Sequence, residues 1–325
     1  MARQLNDFTS ANSFPYKILK QTELVKSIND EGRILPIHAQ LCPTNACNLK
    51  CPFCSCAETD RKQKWSYSNT RNIISVLNNH KIKAATITGG GEPTLFKHIN
   101  YLIRGLDKKS IQVGLVSNGV DIKRLKQSTI ERLVWARISF SDYRDFNDEF
   151  VSQMDYLRST HNVDLAFSYV VTDNLNESNV KSIMDYANNN NFTHVRFVND
   201  IFNPNIKNVN RLQDIIQQAD IDGSIAIYQD RSEHTCGHKQ CRIGILKPMI
   251  GPDGYIYPCC GVQYALDNNY KGFPHQMRMS HYTNLSDIIN LKLSFDGSVC
   301  TKCYYGAYNA ILEDMIQEHQ HQNFV

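Results

Sequence analysis

The chain has 325 residues, 42% hydrophobic and 21% charged, which supports one large globular domain or such a domain with an appendage. Its 35 basic and 32 acidic residues leave a formal charge of +3, so no global attraction to nucleic acid is expected and only a local basic groove stays open. There is no apolar run of about 18 residues to span a membrane, and the stretch from Met1 to Asp30 lacks the apolar centre of a secretory signal, so a cytoplasmic protein is expected.

Residues 1–34 read as an N-terminal extension with no recognisable binding module. A first strand is predicted over Ile37–Leu41, followed by a loop holding five cysteines from Cys42 to Cys56 and a helix over Ser66–Asn79. Strands over Ala84–Thr88, Gln112–Ser117, Trp135–Phe140, Asp164–Val171 and His194–Val198 alternate with helices over Phe96–Leu106, Asp148–Ser159 and Glu177–Asn188. This alternation predicts parallel pairing through right-handed crossovers. Periodicity leaves two architectures open, a doubly wound sheet and an incomplete barrel.

After Asp200 the pattern changes. Asn203-Pro204-Asn205 is a turn-rich connector, and a helix is predicted over Val209–Ala219. From about Cys236 the chain is rich in Cys, Gly, Pro and Tyr. Gly251-Pro252-Asp253-Gly254, between Met249-Ile250 and Tyr255-Ile256-Tyr257, predicts a hairpin, and Tyr308–Gln320 a last helix. The expected division is therefore an extension (1–34), a β/α domain (35–230) and a small cysteine-bearing domain (231–325).

The 11 cysteines fall in three groups: Cys42 to Cys56, Cys236 to Cys260, and the pair Cys300 and Cys303. An odd count without a secretory signal argues against a disulfide scaffold, and clustering argues for ligation. Cys47, Cys51 and Cys54 have C-x3-C-x2-C spacing just after the first strand, and three such thiolates can hold three irons of a [4Fe–4S] cluster. A structural zinc site, completed by Cys42 or Cys56, is the competing reading. Farther on, the hairpin can gather Cys241, Cys259, Cys300 and Cys303 into a four-thiolate site, for a complete [4Fe–4S] cluster or a zinc ribbon.

Cys47-Asn-Leu-Lys-Cys51-Pro-Phe53-Cys54, with Thr88-Gly89-Gly90-Gly91-Glu92-Pro93 after the second strand, resembles the radical S-adenosylmethionine superfamily over roughly residues 35–200. The resemblance implies an α/β fold, a partial (β/α)6 TIM-like barrel, and a [4Fe–4S] cluster on Cys47, Cys51 and Cys54 whose fourth iron binds S-adenosylmethionine. It implies that Phe53, Gly89, Gly90, Gly91, Glu92, Asn118, Ser139 and Arg196 border this cofactor. Glu92 would accept a hydrogen bond from its amino group, and Arg137 or Arg196 would meet its carboxylate, with a structural or substrate-facing role as the competing reading for these strand arginines.

C-x(n)-G-x4-C followed by C-x2-C resembles a twitch domain, a shortened SPASM domain. That implies one auxiliary [4Fe–4S] cluster on Cys241, Cys259, Cys300 and Cys303, with Gly254 selecting Cys259 over Cys260. Cys236, Cys260 and Asp142 are the candidate catalytic groups, the two cysteines as hydrogen-atom donors. For Asp142, Tyr143 and His194 a structural role competes with acid–base chemistry; Cys42 and Cys56 are read as packing residues. The implied reaction is hydrogen abstraction from a C–H bond of a peptide or small molecule, with flavodoxin or ferredoxin as reductant and no membrane partner. A nucleotide or nucleic-acid base as substrate, and a non-enzymatic zinc or cluster-binding module, are the alternatives.

Overall fold

A computed structural model of the chain describes residues 10–160, 162–204, 206–219, 221–229, 234–266, 270–290, 293–317 and 320. All six expected strands form: β1 (His38–Leu41), β2 (Ala84–Ile87), β3 (Gln112–Ser117), β4 (Leu133–Ser141), β5 (Asp164–Val171) and β6 (His194–Asn199). They pair in parallel in chain order, as the alternation requires.

The helices are α1 (Ser10–Leu19), α2 (Thr22–Glu31), α3 (Tyr67–Asn79), α4 (Ile99–Asp107), α5 (Gln127–Ile130), α6 (Asp148–Arg158), α7 (Glu177–Asn189), α8 (Ile206–Gln218), α9 (Ile243–Leu246), α10 (Leu285–Ile289) and α11 (Gly306–Ile316). Local chemistry sets several starts. The side chains of Ser66, Asn147 and Asn176 accept from the backbone N–H three residues on, capping α3, α6 and α7. None of these helices is long and apolar enough to cross a membrane, among the described residues.

The sheet continues beyond the expected strands on both sides. A short strand β7 (Ala226–Gln229) adds in parallel to β6. The predicted hairpin forms as β8 (Met249–Ile250) and β9 (Tyr255–Tyr257), and β8 pairs in parallel with β1, so the cysteine-rich segment extends the same sheet. A two-residue strand β10 (Ser280–His281) closes the order β10-β9-β8-β1-β2-β3-β4-β5-β6-β7. Pairing with β8 satisfies an otherwise open edge: Gln40 N–H donates to Pro248 O at 2.9 Å and Cys42 N–H to Ile250 O at 2.9 Å.

The two faces of the sheet differ in chemistry. Leu41, Ile87, Leu115, Ile138, Phe140, Phe167, Tyr169, Val195 and Phe197 are buried on one face and belong to the main core. Alternate positions carry His38, Gln40, Thr86, Arg137, Ser139, Ser168, His194 and Arg196 on the other, and the register sets Ser139, Ser168 and Arg196 in one row. The described part of the expected extension, residues 10–34, carries α1 and α2: Leu24 and Ile28 of α2 are buried, and Phe14 meets Tyr308 of α11 edge-on at 4.8 Å between ring centroids.

Candidate active site

Cys47, Cys51 and Cys54 lie on the loop leaving β1, and their thiols are half-buried. The glycine segment after β2 pairs with the start of this loop: Gly91 N–H donates to Thr44 O at 3.0 Å and Glu92 N–H to Ala46 O at 2.7 Å. A Cβ on Gly91 would stand 2.2 Å from Ala46 O and 2.4 Å from Asn45 C; one on Gly90 would meet Asn45 Oδ1 at 2.1 Å and Phe273 Cε2 at 2.6 Å. The glycines therefore let two backbones and a C-terminal aromatic close around one point. Arg61, which the sequence reading missed, ties the two segments by donating to Asn45 O at 3.2 Å and to Gly90 O at 3.5 Å.

Glu92 is 2% exposed and fully engaged. Its Oε1 accepts from Thr94 N–H at 2.9 Å, Thr94 Oγ1 at 2.8 Å and Ser117 Oγ at 2.8 Å; its Oε2 accepts from Asn118 N–H at 2.7 Å. Burial raises its pKa and these donors pull it back. Glu92 thus fastens the end of β3 to the glycine segment. Beyond it, Asn118 Nδ2 donates to Asn48 Oδ1 at 2.8 Å, on the cysteine loop itself.

Arg144 is a second residue that sequence reasoning missed; its placement three residues beyond the end of β4 was the available signal. Its Nη1 donates to Asn118 O at 2.6 Å and Ser139 O at 2.8 Å, and its guanidinium stands 4.9 Å from the ring centroids of both Phe140 and Phe150. Burial lowers its pKa, while the negative forms of Cys51 and Glu92 favour its charge. Arg144 therefore ties the ends of β3 and β4 together and supplies positive charge that acts on Cys51.

Of the other expected cofactor contacts, Phe53 is half-buried with its ring 6.3 Å from that of Tyr143. Arg196 donates to Ser168 Oγ at 2.9 Å, across the polar face. Asp142 is held by the loop after β5: Oδ1 accepts from Tyr169 Oη at 2.5 Å and Asn176 N–H at 3.1 Å, and Oδ2 from Thr172 N–H at 2.8 Å and Thr172 Oγ1 at 2.9 Å. Four donors on one carboxylate make Asp142 a brace of this loop.

Burial raises the pKa of Cys241 to about 11 and that of Cys300 to about 12, and raises Cys259 too; neighbouring thiolates add to this, Cys303 at Cys241, Cys241 and Cys303 at Cys300, and Cys260 ahead of Cys241 and Cys300 at Cys259. Cys236 is exposed, next to the bridge between Thr235 and Cys303. Cys260 lies deeper, with Sγ 3.4 Å from the phenol oxygen of Tyr305. Cys42, Cys56 and Cys300 are buried in one apolar cluster with Met249, Tyr257 and Phe273, and Cys54, Cys241, Cys260 and Cys303 pack against it. The C-terminal segment also covers the first cysteine loop directly: Ser55 Oγ donates to Gln263 Oε1 at 2.8 Å and Trp65 Nε1 to Gly251 O at 2.7 Å.

Among the described residues no group of three or more His, Cys, Asp or Glu side chains is placed to hold a metal ion. The chemistry of the donors nevertheless suits a cation. Burial pushes Cys51 up to about 11, and the thiolates of Cys54 and Cys47 push in the same direction. Cys47 is raised by burial too, with Glu92 and Cys54 adding to it. Metal binding removes this mutual repulsion, because the cation replaces the protons.

Residues 41–187 match the family model described as the Radical SAM superfamily, and this range contains Cys47, Cys51, Cys54, Glu92 and Asn118. Over 126 residues the chain is 29% identical to a 7-carboxy-7-deazaguanine synthase of Hyperthermus butylicus, covering 37% of this chain and 50% of the relative. The chain thus spans about half the length of the curated relative it matches. SuiB of Streptococcus suis, solved bound to S-adenosylmethionine, superposes with a TM-score of 0.58 at 17% identity over 85% of this chain and 71% of SuiB. anSMEcpe, solved with AdoMet and a peptide, superposes with a TM-score of 0.56 at 15% identity over 89% and 86% of the two chains. These similarities establish a shared fold.

Proposed function

We propose that the chain is a radical S-adenosylmethionine enzyme that abstracts hydrogen from a C–H bond of a peptide or small molecule. The observation that carries this reading is the junction of the Cys47–Cys54 loop with Gly89–Glu92, locked by two backbone hydrogen bonds inside the segment that matches the family. Cys47, Cys51 and Cys54 would hold a [4Fe–4S] cluster, which when bound would supply the one-electron reduction of S-adenosylmethionine that yields the hydrogen-abstracting 5′-deoxyadenosyl radical.

The protein's part is positioning and exclusion of water. Gly89, Gly90 and Gly91 let the cofactor approach the backbone. Glu92 and Arg144 hold Asn118 and Ser139 at the strand ends, where parallel β/α sheets bind ligands. In this reading the sheet is a partial barrel whose polar face, with Ser139, Ser168 and Arg196, receives the substrate. A low-potential protein such as flavodoxin or ferredoxin is the electron source.

In the same reading Cys241, Cys259, Cys300 and Cys303 hold one auxiliary cluster in a twitch-like arm beginning near residue 231. Cys260 is the candidate for returning a hydrogen atom to a substrate radical, since its thiol is half-buried and touches the Tyr305 hydroxyl. A nucleobase-like substrate is the second reading, favoured by the similarity to a 7-carboxy-7-deazaguanine synthase.

The test is anaerobic purification with iron and sulfide counting, then addition of reductant and S-adenosylmethionine. About eight irons and formation of 5′-deoxyadenosine, abolished by Cys51→Ala, are expected. Zinc in place of iron, with S-adenosylmethionine left intact, would overturn the reading.

A further inference from the structure

Helices α3 and α4 lie side by side over the apolar face of the sheet. Ile73 and Leu77 of α3 and Leu102, Ile103 and Leu106 of α4 are buried in the main core, so helical periodicity turns Arg71, Tyr101, Arg104 and Lys108 away from it. Gly105 lets the two helices close on each other: a Cβ there would stand 2.6 Å from Ile74 Cδ1. Along this contact runs an open groove of about 580 Å3, with Arg71, Tyr101, Arg104, Lys108, Lys109 and Arg132 in its walls.

The charge of this groove is one-sided. Its five cations come from α3, from the end of α4 and from the residue before β4. Arg132 pairs with Asp107, but among the described residues Arg71, Arg104, Lys108 and Lys109 have no ion pair. A helix C-terminus favours nearby cations, which accounts for Lys108 and Lys109. Arg71, in the first half of α3, has no such local reason. A cleft lined by one sign of charge focuses the field and draws in the opposite sign. The near-balanced total of +3 conceals this local basic groove.

An exposed aromatic surface continues the groove. Tyr67, at the start of α3, is 50% exposed, and its ring lies 4.8 Å from that of Tyr101 and 5.4 Å from that of His98, between centroids. Because Tyr101 also lines the groove, rings and cations form one surface. A single strand of nucleic acid calls for both, cations along its backbone and a ring face for a base. An acidic protein surface would match the charge but not the concave shape.

We propose that the groove between α3 and α4 binds single-stranded nucleic acid, with phosphates on Arg71, Arg104, Lys108 and Lys109 and a base stacked on Tyr67. The site lies across the helix layer from the polar face of the sheet, and the proposal does not depend on the cluster reading.

The test uses the full-length chain and a fluorescein-labelled single-stranded oligouridylate, with binding followed by fluorescence anisotropy across a salt series. Four paired phosphates give a slope of log affinity against log salt of about −2.8, at about 0.7 per phosphate. Arg71→Ser combined with Lys108→Ser, both exposed positions, is expected to bring the slope to about −1.4 and to weaken binding at low salt by about tenfold or more. Tyr67→Ala is expected to weaken binding by about fivefold or more at an unchanged slope, because a stacked base contributes affinity without charge. Lys207→Ser, on the exposed side of α8, removes a charge away from the groove and is expected to change neither.

No binding at low salt, an unchanged slope in the Arg71/Lys108 variant, or wild-type affinity in Tyr67→Ala would each overturn the proposal. So would displacement of the oligonucleotide by an equal concentration of phosphate groups supplied as pyrophosphate, which would reduce the groove to a simple anion site. Binding of an acidic flavodoxin at these residues in place of the oligonucleotide would overturn it as well.

Discussion

Replacing Glu92 tests whether a motif carboxylate works as a brace. In Glu92→Gln the amide oxygen can keep the three donors at Oε1, from Thr94 N–H, Thr94 Oγ1 and Ser117 Oγ. The new NH2 would then face Asn118 N–H, which loses its 2.7 Å acceptor. A hydrogen bond to a charged group contributes about 1.5–3 kcal/mol, and part of that loss is offset because the buried charge is removed as well. A loss of about 2 kcal/mol is expected.

Glu92→Ala removes every acceptor. The Thr94 and Ser117 hydroxyls can rotate toward other partners, but the two backbone N–H groups cannot, so about 3–4 kcal/mol is expected. Urea unfolding under anaerobic conditions, compared at constant slope, measures both values. Ser117→Ala supplies the internal control, because its hydroxyl donates to Glu92 and accepts from Gly119 N–H at 3.0 Å. The double variant is expected to show about 1 kcal/mol of coupling. Stability of Glu92→Gln within about 0.5 kcal/mol of wild type, or strict additivity with Ser117→Ala, would refute the brace.

Three further outcomes follow from the same geometry. Gly91→Ala is expected to fold but to hold about half of the iron, because its Cβ meets backbone atoms of the cysteine loop that have no side-chain freedom to yield; Gly223→Ala, whose Cβ meets Ile216 Cγ2 at 3.4 Å, should keep it all. Arg144→Met leaves Asn118 O and Ser139 O without their donor, at an expected cost of about 2 kcal/mol in urea unfolding; a variant as stable as wild type would remove Arg144 from the site's support. His194 is held at about 3 by burial and by the charges of Arg137 and Arg196, whereas an unfolded chain takes its proton near the ordinary value of 6.5. Because the unfolded state binds the extra proton between those values, stability rises with pH across that window, by up to about 1.4 kcal/mol per pH unit. His194→Gln should flatten the slope, and an unchanged slope would show that other groups set the acid sensitivity.

Much of this protein was legible along the chain because the signals are local. Six strands, the capped helices and the hairpin turn, with Gly254 at φ +81°, follow from residue periodicity and turn chemistry within a few neighbours. The spacing of Cys47, Cys51 and Cys54 and the run from Gly89 to Glu92 named the centre of the candidate site for the same reason. Strand β7 was not legible, since Ala226–Gln229 is only four residues and becomes a strand by pairing with β6. Nor was the docking of β8 onto β1, which joins residues more than 200 positions apart by satisfying the open edge of Gln40 and Cys42.

The same division holds within the site. Sequence pattern chose residue types: thiols for a cation, glycines for close approach, a carboxylate at the strand end. Tertiary structure decided what each atom touches. It turned Glu92 inward to Ser117 and Asn118, committed Asp142 to the loop after β5, and tied Arg144 to the ends of β3 and β4. Spacing along a chain fixes which groups can meet within one turn or loop, whereas buried polar atoms must find partners wherever the packed chain supplies them, and that accounting closes only in three dimensions.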